Sequence, residues 1–386
     1  MSKRFLSGVI ALVIAAASSS SPVRGVRLQP DHRSARQIPM VRLKADPTYR
    51  FPMVRLKADP TYGSQPARRY VAPRTPWGDP DLQGTYTNKY EQSTPLERPE
   101  EFAGRALEDV KGAELARLLE KRNEQVLARP AGVGPTQFRD PLDVGRGSRA
   151  WLIVDPPDGK MPSMTVDALR RLGPPDPTLD TGINGVVNMR RRIGGSFSDG
   201  PFDGQEDFTL WERCVTRGLP GAMMPHILGN SYQIVQAPGF VVIRYELIHD
   251  ARIIPVDGRP HLTKHLQSEM GDARGHWEGD SLVVETTNFK ERSTYRNANA
   301  ATLRLVERFT RTAADRIEWA VTVDDPSTWT RRWTFGMPLT MNDREGVLEF
   351  ACHEGNYAVP NILSAARSAE RERAQTTTKS SGAAER

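Results

Sequence analysis

The chain has 386 residues and a formal net charge of +6. The charge is uneven: +2 in the first residues and +9 over residues 22–76 leave −5 on Trp77–Arg386, which excludes a basic groove for nucleic acid. Two cysteines, Cys214 and Cys352, are too few for a zinc site, and no segment beyond the first residues is apolar enough for a membrane-spanning helix.

Residues 1–17 read as a signal peptide. Lys3 and Arg4 form a positive start, Phe5–Ala17 an apolar run, and Ala15-Ala16-Ala17 a small-residue cleavage site. An uncleaved interfacial helix is the alternative. Export to a secreted or periplasmic location is therefore expected, and an even cysteine pair in that setting reads as a disulfide. Two buried free thiols are the other option. Residues 18–74 are rich in Ser, Pro and Arg without hydrophobic periodicity, and PMVRLKADPTY at Pro39–Tyr49 recurs at Pro52–Tyr62. Two short copies cannot build a solenoid, so the stretch reads as a disordered linker or as a basic tether to an anionic surface.

The body is expected over residues 75–364 as one β-rich domain. Thr75–Asn88 reads as a Pro-rich entry and first strand, and Glu108–Arg129 as an amphipathic helix. Residues 130–210 are dense in Gly, Pro and Asp, with a strand at Ala150–Val154 and a short helix at Val166–Leu172. A loop-rich stretch of that length reads as a cap. Strand-like runs then follow: YQIVQ, GFVVIRYELI, SLVVETTNF, LRLVERFTR, RIEWAVTV, TWTRRWTF and VLEFACHE, the last over Val347–Glu354. Turn residues such as Pro238-Gly239, Pro255–Gly258, Glu278-Gly279-Asp280 and Asp324-Asp325-Pro326 separate most of them. Short strands with turn chemistry between them predict an antiparallel barrel. Residues 365–386 read as a charged tail, a helix that frays.

Several long motifs carry a resemblance: WERCVTRGLPGAMMP (211–225), YQIVQAPGFVVI (232–243), ELIHDARIIPVDGRPHL (246–262), GDARGHWEGDSLVVETTNF (271–289), VTVDDPSTWTRRWT (321–334) and ACHEGNY (351–357). They resemble a family of exported bacterial proteins, over most of residues 75–367. That resemblance implies export and no particular reaction. DLQGTY also resembles the first strand of a lipocalin-like barrel, an analogy of fold alone.

Candidate chemistry follows from alternation along Val241–Ile254. One face would carry Tyr245 and His249 among apolar residues, the other Glu246 and Arg252. If the first face points inward, His249 is a general base or acid inside the barrel, or else a hydrogen-bonded core histidine. A bulge near His249-Asp250 would reverse the faces downstream. LRLVERF puts Glu307 on an apolar face, where it needs a partner: an interior His or Arg, or a substrate. In ACHEGNY, alternation separates His353 from Glu354, and a buried Cys352 would draw Glu354 inward. His249, Glu307, Glu246 and His353 are thus the candidate catalytic set. Tyr245, Arg252, Glu354 and Trp329 are the candidate substrate contacts, with Arg252 as a clamp for an acidic ligand and Trp329 as core or platform. His261 and His265 are four apart, a metal pair on a helix but not in a loop. No nucleophile elbow, phosphate loop, HExxH or dinucleotide fingerprint appears, and no cofactor or metal is expected.

The function expected is binding or transformation of a small, partly apolar molecule inside the barrel. Hydrolysis, isomerisation or lyase chemistry by His249 with a carboxylate would be the catalytic form. The alternative is a non-catalytic envelope protein with a packed core. The partner is a small molecule, with no nucleic acid and no membrane span.

Overall fold

Alternating β-branched, aromatic and polar residues, broken at Gly239 and Gly279, form hairpins over most of Tyr232–Met341. The computed structural model describes residues 70–127, 146–172, 202–226, 229–291 and 294–384. The expected signal peptide, all but the end of the expected linker and much of the expected cap lie outside them. Ten strands pair: β1 (Gly84–Thr87), β2 (Ile153–Asp155), β3 (Ser231–Ala237), β4 (Phe240–Tyr245), β5 (Ala251–Pro255), β6 (Asp272–Glu278), β7 (Ser281–Thr287), β8 (Arg304–Ala313), β9 (Arg316–Asp324) and β10 (Trp333–Met341). Among the described residues three α-helices accompany them: α1 (Gly112–Leu127), α2 (Val166–Leu172) and α3 (Ala358–Ala384). The sheet is antiparallel and runs β5-β4-β3-β1-β10-β9-β8-β7-β6, with β2 joined to β10. It curls into a nearly closed barrel, the fold class that the turn spacing predicts.

The seam between β5 and β6 closes through side chains. A Cβ on Gly275 would come within 2.8 Å of Val256 and 3.0 Å of Ile254, so only glycine lets the two edges meet. Among the described residues, large side chains point into the interior. Tyr86, Tyr232, Tyr245, Phe309, Trp319, Trp333 and Phe335 are fully buried and belong to one core cluster. Each such side chain contributes about 1.5–3 kcal/mol by leaving water.

The structure corrects the expected strand pattern at four places. Val241–Ile254 is not continuous: β4 ends at Tyr245, a tight turn spans Leu247–His249, and β5 starts at Ala251. Ile248 and His249 adopt left-handed backbone, with φ of 61° and 63°. The turn reverses the faces, so Val241, Ile243 and Tyr245 point inward on β4, and Arg252 and Ile254 on β5. Second, Val347–Glu354 forms no strand. The ladder has no free place for it, because β10 is flanked by β1 and β9 and the two remaining edges face each other. Third, β10 begins only at Trp333, and Trp329 sits in the turn before it, bridged to Met164. Fourth, Asp272–Glu278 is a strand that its Asp, Arg, Gly and His content concealed.

Candidate functional site

The inward turn of β5 sets Arg252 against β8. Its guanidinium donates to both oxygens of Glu307, at 2.5 and 3.2 Å, and Trp319 Nε1–H donates to Glu307 at 3.1 Å. Arg252 is 4% exposed and Glu307 0%. Burial pulls the Arg252 pKa down, but the Glu307 charge, Tyr245 and the Glu307 hydrogen bonds outweigh it and hold the guanidinium charged. Burial pushes the neighbouring Tyr245 phenol well above its usual range. Of the alternatives open for Glu307, the geometry selects an ion pair with an interior arginine. Arg252 does not share a face with Glu246, and its fork is occupied by Glu307 rather than free for an acidic ligand.

His249 is exposed, on the outer side of the wall. The expected interior space shared by His249 and Glu307 is therefore corrected: the turn at Ile248 carries the imidazole out while Glu307 stays in. Outside, His249 meets a different partner. Residues 348–354 run past the end of β4 and enclose a cleft of about 460 Å3, lined by Arg244, Tyr245, Glu246, His249 and Leu348–Glu354. The His249 and His353 ring centroids are 6.3 Å apart, with planes tilted by 37°. His353 and Glu354 are both exposed, so Cys352 does not draw Glu354 into the core.

Few bonds hold the cleft's outer wall. Cys352 is bonded to Cys214, with Cα atoms 5.8 Å apart, and Asn356 Nδ2 donates to the Glu212 carbonyl at 2.7 Å. The disulfide expected from an exported cysteine pair is present. On the inner side, Tyr245 N–H donates to the Asp250 carbonyl and Ser231 N–H to a Glu246 oxygen, which fixes the turn. Burial raises the Asp250 carboxyl above its usual range; a Thr216 hydrogen bond at 2.7 Å and the adjacent His249 act against that. Non-glycine left-handed residues cost on the order of 1–3 kcal/mol each and cluster at functional sites. Here two adjacent ones deliver His249 to the cleft.

Arg244, His249, Glu349, His353 and Glu354 make no side-chain hydrogen bond or ion pair to another described residue. Glu246 does, through Ser231. Trp329 is 1% exposed and packs on Trp333 at 5.7 Å, which makes it core rather than a ligand platform. His261 lies in a loop, with Nδ1 2.8 Å from Asp272, so it forms no helical pair with His265. Among the described residues, no three His, Cys, Asp or Glu side chains stand together as a metal site. Sequence reasoning did not single out Arg244, Leu348, Glu349 and Phe350 as site residues. The signal that could have found them is the cysteine pair, because tying Cys352 to Cys214 pulls their neighbours onto the barrel wall.

No family model matches this chain, and no curated protein matches it. Among solved structures, one similar chain is a secretary abundant heat soluble (SAHS) protein from Ramazzottius varieornatus, 13% identical over 30% of this chain and 74% of that one, with a TM-score of 0.20. Another is a point mutant of the fluorescent protein UnaG, 7% identical over 29% of this chain and 70% of that one, with a TM-score of 0.19. Likenesses at these scores bear no weight for fold or function. No helix among the described residues is long and apolar enough to cross a membrane.

Proposed function

We propose that this chain is an exported barrel protein that binds a small, partly apolar molecule in the cleft beside His249 and His353. The observation that carries this reading is the set of five ionisable side chains around one cleft, none bonded to another described residue. Buried polar groups are normally bonded within the protein, whereas these five are exposed, hydrated and open to a ligand. Leu348, Phe350 and Ala351 supply the apolar part of the lining. The barrel is the scaffold: its inward side chains are large and its interior charges, Arg252 and Glu307, are spent on each other, so the cleft carries this reading better than the interior. Export rests on the leader pattern and is in keeping with the Cys214–Cys352 bond.

The second reading is a non-catalytic envelope protein, and the many large side chains buried in the barrel favour it. One experiment separates the two. The full chain is purified from its oxidising compartment, and the small molecules it carries are identified by mass spectrometry. The cleft reading expects a stoichiometric, partly apolar molecule in the native chain and a loss of at least tenfold in a His353→Ala chain of equal melting temperature. Bare protein in both preparations supports the envelope reading.

A further inference from the structure

Two independent features around the cleft point to the class of molecule. The first is charge. Glu246, Glu349 and Glu354 line the cleft together with one guanidinium, Arg244, and the Glu349 and Glu354 carboxylates have no partner among the described residues. The ring of Phe350 borders the same space. Unpaired carboxylates beside aromatic faces favour a cation over an anion.

The second feature lies on the barrel's outer wall. The β3–β4–β5 register aligns Val235 with Val242 and Val242 with Ile253. The alternate residues Ile234, Val241, Ile243 and Ile254 are buried, so this row faces out, and Ile253 is 65% and Val235 45% exposed. The next row outward is Ala237, Phe240 and Pro255. On the other side of the Val235–Val242–Ile253 row comes Arg244, paired with Ala251, and Arg244 already lines the cleft. An aliphatic strip therefore starts one row from the cleft and leads away from it. Isolated exposed aliphatic residues need no explanation, but a contiguous row ending at a polar cleft fits an extended ligand.

We propose that the cleft takes the head of a cationic amphiphile: an amine whose ammonium meets Glu349 and Glu354 and whose alkyl chain lies along Ile253, Val242 and Val235. This rests on the cleft reading above and specifies its ligand. The amine is bound as a free monomer.

The test titrates the full chain by calorimetry with decylamine, butylamine, decanoate and 1-decanol, each below its micelle concentration. A methylene fully removed from water strengthens binding about fourfold, less on an open face, so the longer amine gains over butylamine by roughly tenfold or more. Decylamine should bind at least ten times more tightly than decanoate. A Glu349→Gln, Glu354→Gln double variant should remove most of that preference and leave 1-decanol unchanged. Ile253→Ser should weaken decylamine and spare butylamine. These side chains are exposed, so equal melting temperatures are expected. Decanoate binding as tightly as decylamine overturns the cationic head, and equal affinity for the two amines overturns the strip. If no probe binds while the native chain still carries a co-purified molecule lost in His353→Ala, this inference falls and the cleft reading stands. If neither occurs, both fall.

Discussion

The barrel interior and the cleft on its outer wall hold the same kinds of side chain in opposite states. Inside, Arg252, Glu307 and Trp319 bond to one another in the buried core. Outside, Arg244, Glu349, Glu354 and two histidines stand around a cleft with no bond between them. Burial of a charge is the louder signal in a sequence, yet here it marks architecture. A lone carboxylate on an apolar strand face demands a partner, and β5 provides one. The quieter signal, exposed ionisable groups gathered by a strained turn and a disulfide, marks the cleft proposed for a ligand.

The largest effect that would sharpen this contrast comes from the disulfide. It closes a 138-residue separation, and the chain-entropy model gives about 4–5 kcal/mol for such a loop. Cys352→Ser should lower stability in urea by that order and also abolish cleft binding, because residues 348–354 lose their main tie. Next is Glu307→Gln, which leaves the Arg252 charge buried with its partner weakened. It should cost about 3–5 kcal/mol while cleft binding, measured well below the melting temperature, stays unchanged. Replacing both residues with Leu and Met should recover most of the loss. Recovery of stability with loss of binding would instead make the interior pair part of the ligand site.

Smaller effects test the turn. His249→Gly relieves a left-handed backbone at an exposed position, so stability should hold or rise by about 1 kcal/mol while binding falls. A clear loss of stability would make His249 a structural residue. The smallest effect concerns Asp250, whose carboxyl is raised chiefly by burial. A raised acid favours the folded state at low pH, and that advantage is lost as pH rises from the ordinary carboxylate range through the folded value. Asp250→Asn should therefore stabilise the chain slightly at neutral pH, with the gain vanishing below the ordinary carboxylate range. A gain that persists there would assign the effect to the Thr216 hydrogen bond instead.

Much of the fold was legible because alternation and turn residues are local. Helix Val166–Leu172, most of the hairpin strands and the cysteine pair were all visible in the sequence. What was hidden is where alternation stops. Nothing in RYELIHDAR announces that Ile248, a β-branched residue, will take φ of 61°, since tertiary packing enforces that conformation against its local cost. One turn of that kind moved His249 outside and Arg252 inside. VLEFACHE has strand-like composition, but a barrel with its edges filled offers it no ladder. Every candidate residue except Trp329 nevertheless lies at one of two real clusters. Tyr245, Arg252 and Glu307 are inside, Tyr245 also lining the cleft; His249, His353, Glu354 and Glu246 are at the cleft, while Trp329 belongs to the core.

The central claim is that a ligand sits in the cleft and not in the barrel. The most direct check is a nuclear magnetic resonance titration of the chain with a molecule that it carries or binds. The imidazole signals of His249 and His353 are followed alongside the indole N–H of Trp319. A ligand in the cleft predicts shifts at the two histidines and none at Trp319. Shifts confined to Trp319 would contradict it and return the site to the interior.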